Sequence, residues 1–230
     1  MWVFLKFLIC ATVLNTCGCF QCDQESTAGD CVCEADFNGG YRVYCPTRVT
    51  IRRKDAKNKK LDIKWHPDYK TNRNSLEVSC SEDTTNYDIV EYLKDLAFDK
   101  IDKLFVKKCC AMDASFIYDI NATSATEMTF SQTRKEKNKS LVSLEGAANL
   151  TRLEIVYQDH LILGPDSFKQ ITKLKRLNLR GNKGIVIHDK SFSKLIDLEE
   201  VDISSCRIHQ LSEALFTNLR KLKRKNLTST

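Results

Sequence analysis

The sequence predicts an α/β solenoid: short parallel strands stacked along a concave face, bent into a horseshoe arc, with a cysteine-rich cap at the N-terminal end. Two observations carry this, a 24-residue recurrence of leucines between Leu150 and Leu222 and a cluster of cysteines well ahead of it. Leu150, Leu174, Leu198 and Leu222 open successive units. Leu153, Leu177 and Val201 follow three residues on, and Ile155, Leu179 and Ile203 two further on. Phe168, Phe192 and Phe216 recur later in the unit, each trailed three residues on by Ile171, Leu195 or Leu219. The pattern LxxLxLxxN/C, clearest in residues 174–182 and 198–206, is that of the leucine-rich repeat.

Each part of the unit has a physical meaning. Apolar residues at alternating places predict a short strand with one buried face, and the later Phe with its follower predicts a turn of helix or a compact loop folded against it. A single unit cannot bury these groups, whereas stacked units bury them between neighbours, at roughly 1.5 to 3 kcal/mol gross per large apolar side chain. Asn182 at the ninth place is expected to turn inward and satisfy backbone groups where its strand ends. Cys206 is expected to fill that place in the next unit as a small buried thiol. Two weaker units precede these, marked by Ile101, Leu104, Val106 and Cys109 and by Ala125, Met128 and Phe130, so five repeats and the start of a sixth are visible.

The 230 residues accommodate such a solenoid without one large globular core. With 42% hydrophobic and 29% charged residues the chain is expected to fold rather than remain disordered. Residues 1–19 read as a secretory signal peptide, an apolar run followed by small residues near Cys17 to Cys19, and nothing else in the chain is long and apolar enough to span a membrane. Residues 20–95 lack the repeat and read as the cap, which a solenoid needs to shield its first unit. Residues 96–230 read as the repeats.

Of eleven cysteines, eight lie beyond the signal: Cys22, Cys31, Cys33, Cys45, Cys80, Cys109, Cys110 and Cys206. An exported chain meets an oxidising compartment, so the four in the cap are expected to pair. Spacing does not settle how, although Cys31 and Cys33 are poor partners for each other; the crossed arrangement, Cys22 with Cys33 and Cys31 with Cys45, is adopted here. Cys109 at an inward ninth place can reach back toward the cap, where Cys80 is available. Cys110 and Cys206 are left over, separated by four repeats or roughly 19 Å at ~4.8 Å per strand, and Cys206 is expected to be a free buried thiol.

The net charge of +6 is modest, and its densest runs, residues 51–60 and 221–225, lack the interleaved aromatics that single-stranded nucleic acid requires, so they read as solvated edges. No P-loop, GxSxG or HExxH occurs, and His66, His160, His188 and His209 are scattered. The chain is therefore read as a non-enzyme, with no cofactor and no metal. Asn121, Asn138, Asn149 and Asn226 open Asn-x-Ser/Thr sequons and read as glycan sites, Asn138 foremost and Asn226 last because it falls near the end of the chain. The remaining candidate is a surface. Outward residues of the concave strands are expected to stand in adjacent rows: Phe105, Lys107, Arg152, Glu154, Val156, Arg176, Asn178, Arg180, Glu200, Asp202 and Ser204. Such a mixed-charge ladder suits protein recognition.

In the order of its cysteines the chain resembles the N-terminal part of insect Toll receptors. The resemblance is carried by Cys22, CVC at 31–33, YRVYCP at 41–46, LEVSCSEDTTNYD at 76–88 and VKKC at 106–109, followed by repeats. It implies an extracellular ectodomain whose cap and first repeats grip the cystine-knot cytokine Spätzle, with dimerisation passing a signal across the membrane in innate immunity or development. It also implies the crossed cap disulfides and a bridge between Cys80 and Cys109. Further repeats, a second cysteine-rich module, a spanning helix and a TIR domain, which the family has, are not in this sequence, and Lys225 stands where an apolar residue is expected. The chain thus reads as a fragment of a longer receptor, or alternatively as a short secreted leucine-rich-repeat protein acting as ligand trap or matrix component.

Overall fold

The computed structural model describes residues 32–35, 41–44, 49–54, 60–66, 73–80, 89–90, 93, 97–98, 100–109, 115–132, 144–158, 161–208 and 210–228, with backbone alone at 32–35, 41–44, 49–54, 60–62 and 97–98. The signal segment, Cys22, Cys31, Cys45, Cys110, Asn138, His160 and His209, together with the side chain of Cys33, lie outside the described residues.

In chain order the strands are β1 (Val32–Ala35), β2 (Tyr41–Tyr44), β3 (Val49–Lys54), β4 (Lys60–His66), β5 (Ser75–Cys80), β6 (Ala97–Phe98), β7 (Lys103–Lys107), β8 (Glu127–Ser131), β9 (Arg152–Val156), β10 (Ile162–Leu163), β11 (Arg176–Asn178), β12 (Val186–Ile187), β13 (Glu200–Asp202) and β14 (Arg224–Asn226). Nine form one sheet, in the order β3, β4, β5, β7, β8, β9, β11, β13, β14. From β5 to β14 every pairing is parallel, whereas β3, β4 and β5 pair antiparallel. A smaller sheet joins β1, β2 and β6, and β10 pairs with β12 on the far side of the repeats.

The leucine ruler sets the register. Leu76, Leu104, Met128, Leu153, Leu177, Val201 and Lys225 face one another on successive strands. All but Lys225 are buried, as are the second inward positions Val78, Val106, Phe130, Ile155, Leu179 and Ile203. Every rung opens in the same way, with one carbonyl accepting two N–H groups from the next strand: Asn74 O from Asp102 and Lys103, Asp102 O from Thr126 and Glu127, Thr126 O from Thr151 and Arg152, and so on to Glu199 O. By this criterion β5 is a rung of the parallel stack, which begins one strand earlier than the repeats recognisable in the sequence.

Behind the strands of the repeats the described chain returns through tight turns, a short helix α1 (Phe116–Asp119) and a 3-10 turn (Glu213–Phe216). Ile171, Leu195 and Leu219 each donate a backbone N–H to the Phe three residues earlier, closing the same turn in three units. Those phenylalanines stack into a spine, with ring centroids of Phe168 and Phe192 5.9 Å apart and of Phe192 and Phe216 6.2 Å apart, spacings at which aromatic pairs attract. The fold is a leucine-rich-repeat solenoid. Lys225 keeps out of the core by folding over this spine, its ammonium 4.5 Å from the centre of the Phe216 ring.

Where the strands end, a line of left-handed residues runs along the stack: Lys108 (φ 58), Gln132 (51), Tyr157 (56), Gly181 (75) and Ser205 (59). Only glycine takes this conformation without a cost, of about 1 to 2 kcal/mol for other residues. What offsets it is a backbone bond: each of the five donates its N–H to the carbonyl of Ser131, Val156, Arg180, Ser204 and Thr228 respectively, extending the ladder past the strand. Gly181 has a second reason to be glycine, since a Cβ there would lie 2.6 Å from the Tyr157 ring.

The next residue turns inward and satisfies the rung behind. Asn182 Nδ2 donates to Ile155 O (2.7 Å) and Leu179 O (2.6 Å), and its Oδ1 accepts the N–H of Gln158 (2.7 Å). Cys206 does the same work with one donor, its Sγ 3.1 Å from Leu179 O. Gln158 occupies this place in the unit before, where the sequence gives no asparagine, and its Nε2 reaches Phe130 O and Val156 O. Cys109 occupies it two units earlier and is joined to Cys80 of the adjacent strand, with Cα atoms 4.8 Å apart. Cys206 is the free cysteine among the described residues and is fully buried, and burial pushes its thiol pKa up, so it stays protonated.

Candidate functional site: the concave sheet face

Parallel register lines the outward residues into rows. The first holds Ser75, Lys103, Glu127, Arg152, Arg176, Glu200 and Arg224; the second holds Glu77, Phe105, Thr129, Glu154, Asn178, Asp202 and Asn226. A third, present where the strands are longer, holds Ser79, Lys107, Ser131 and Val156.

Among the described residues two broad hollows lie on this face. The rear one, a groove of about 740 Å³, is floored by β9, β11, β13 and β14 and contains Arg152, Glu154, Arg176, Asn178, Glu200 and Asp202. Its charges are paired. Arg152 Nη2 lies 2.6 Å from Glu154, Arg176 Nε 3.5 Å from Glu200, and Arg224 also bonds Glu200. Arg152 and Arg176 sit side by side on neighbouring strands, an arrangement that repels on its own. The bond to Glu154 raises the Arg152 pKa further, with Glu127 and Glu200 adding to it. The front hollow, about 520 Å³, lies over β4 to β9 and contains His66, Ser75, Glu77, Phe105, Lys107, Thr129, Ser131 and Val156. Phe105 is 36% exposed among these small hydroxyl residues.

The structure brings Phe105 and Lys107 together in the front hollow, and Arg152, Glu154, Arg176, Asn178, Glu200 and Asp202 in the rear groove. Two expectations need correction. Arg180 is exposed but follows the end of β11, in the turn beside the left-handed Gly181, and does not line the groove. Ser204, expected to face outward, is 4% exposed, because the chain is already bending into its turn there, whereas Val156 ends β9 on the outward side and lines the front hollow. The sequence reading missed Lys103, Glu127, Arg224 and Asn226. The first two could have been found by carrying the row back through the weak repeats, and the last two by carrying it forward one unit.

Among the described residues no three His, Cys, Asp or Glu come together to hold a metal ion, and no helix is long and apolar enough to cross a membrane. His188 lies in a loop, its Nδ1 accepting the N–H of Lys190 at 3.2 Å. Asn121 and Asn149 are exposed in turns away from the sheet face, while Asn226 stands on it.

Fold and face together define a leucine-rich-repeat solenoid with an open sheet face of mixed charge. Residues 148–208 match the family model described as leucine rich repeat. Among solved structures the chain is similar to a chain of the Toll–Spätzle complex, described as a molecular hub in Drosophila development and innate immunity. The identity is 16%, over 84% of this chain and 34% of that one, with a TM-score of 0.31. This chain thus spans about a third of that chain's length, and at so small an overlap the likeness has no bearing on function. No curated protein matches the sequence.

Proposed function

We propose that the chain is the N-terminal part of an extracellular receptor of the Toll kind, and that its concave face binds a Spätzle-type cystine-knot cytokine. The observation that carries the recognition reading is the pair of outward rows running unbroken over seven parallel strands, with arginines and an exposed Phe105 among them. Arginine and aromatic residues are enriched where protein interfaces bury charge and area. The cysteine order of the cap supports the family, and a bridge between Cys80 and Cys109 fits an oxidising compartment.

In this reading residues 1–19 are removed on export and residues 20–95 form the cap, with Cys22 joined to Cys33 and Cys31 to Cys45. Residues 96–230 are the repeats, and glycans at Asn121, Asn138 and Asn149 cover other surfaces. Ligand binding promotes a receptor dimer that signals in innate immunity or development. Surface plasmon resonance of the secreted, folded chain against a dimeric cystine-knot cytokine tests it. Binding is expected, weakened at least ~10-fold, or ~1.4 kcal/mol, by joint Phe105→Ala and Lys107→Glu substitution in the front hollow. Absence of any association by the folded chain would sink the proposal.

A further inference from the structure

The rear groove holds a modification site on its own floor. We propose that Asn226 carries an N-linked glycan which fills this groove, so that glycosylation closes the rear half of the concave face to a protein ligand. The inference rests on the export and concave-face readings above.

The sequon is Asn226, Leu227 and Thr228. Strand β14 places Asn226 beside Asp202 in the second row, exposed and lining the same groove as Arg176 and Glu200, while Leu227 packs against the core. The amide is held at both ends. Thr228 Oγ1 donates to Asn226 Oδ1 at 3.0 Å, and Asn226 Nδ2 donates to Asp202 Oδ2 at 3.1 Å. A side-chain amide nitrogen has two hydrogens; a sugar replaces one, and the other remains for Asp202. Attachment therefore costs the folded chain no contact.

The transfer balances with a lipid-linked oligosaccharide pyrophosphate as donor. A bond forms between sugar C1 and Asn226 Nδ2, the C1–O bond to the pyrophosphate breaks, the lipid pyrophosphate leaves with the electron pair, and Nδ2 gives up one proton. The attached glycan is bulky and hydrophilic, and it starts from the floor of a groove of about 740 Å³. The other described sequons act elsewhere. Asn121 follows α1 in a turn, and Asn149 precedes β9 with its amide bonded to Thr123 O and to Lys173 Nζ, so glycans there leave the face open.

The test uses the full chain secreted from a glycosylating host, beside a Thr228→Ala variant that removes the sequon but keeps Asn226. Glycopeptide mass spectrometry is expected to find sugar on Asn226. Phenylglyoxal labelling of Arg176 is expected to rise several-fold in the variant, or after enzymatic removal of the sugar, with Arg180 outside the groove unchanged. An unmodified Asn226 peptide overturns the proposal, and so does equal labelling of Arg176 with and without the sugar. Failure of the binding reading is distinguishable, since it would appear as absent cytokine association in both forms while Arg176 protection persisted.

Discussion

At the front of the sheet, strands β5, β7 and β8 run six, five and five residues, and Cys80 is tied to Cys109 across the first two. At the rear, β11, β13 and β14 run three residues each, with no disulfide among the described residues. The rear has instead the Phe168, Phe192 and Phe216 spine and the inward Asn182, both of which repeat at a fixed place in the unit. A regular repeat can hold a neighbour through a few well-placed side chains. Where the spacing departs from the rule, as between Leu76 and Leu104, longer backbone pairing and a covalent tie take their place.

The contrast can be tested, starting from the strongest effect. Phe192→Ala removes the middle ring of the spine and should cost about 3 to 5 kcal/mol in urea unfolding, because neither neighbour can collapse into the gap without leaving the other. Replacing Cys80 and Cys109 together by Ala should cost about 2 to 4 kcal/mol. It should raise hydrogen exchange in β5 and β7 and leave β11 and β13 unchanged; a uniform rise would show that front and rear unfold as one unit. Asn182→Ala removes the donor to Ile155 O and the acceptor of the Gln158 N–H in a dry site, while Leu179 O keeps its bond from Cys206, with an expected loss of about 2 to 3 kcal/mol confined to the rear. Ser205→Gly should stabilise by about 1 kcal/mol, since it relieves a left-handed residue without losing the backbone bond to Thr228.

The smallest effect is one of pH. A side-chain bond from Lys223 holds the Glu199 carboxyl below its usual pKa. Its contribution is therefore present above the unfolded value of about 4.3 and is lost as pH falls through the lower folded value. Both groups are exposed, so the change should appear only as a lower hydrogen-exchange protection factor in β14 on acidification, measured against the intrinsic rate at each pH, with no measurable shift in the melting temperature.

The 24-residue recurrence made the rear legible almost completely, because each buried place repeats at the same number. Leu153, Leu177 and Val201 stand on successive strands, and Asn182 and Cys206 turn inward as their place in the motif predicts. Strand β5 was not legible as a rung, since the step from Leu76 to Leu104 differs from the others and its alternation reads equally well as part of the cap. The left-handed line was hidden for another reason. Lys, Gln, Tyr and Ser have no preference for that conformation, and only the backbone bonds to the next rung impose it. Arg180 and Ser204 were misplaced because alternation was carried past the point where the strands end.

The unit from Leu174 to Asp197 meets the neighbour before it and the neighbour after it through equivalent places, Asn182 bonding Ile155 O behind it, Cys206 of the next unit bonding its Leu179 O, and Phe192 meeting a ring on either side. Such a part is interchangeable. A duplicate spliced in beside the original would find its seat ready-made, lengthen the molecule by one step of ~4.8 Å, and carry everything downstream one notch further from the cysteine-tied end.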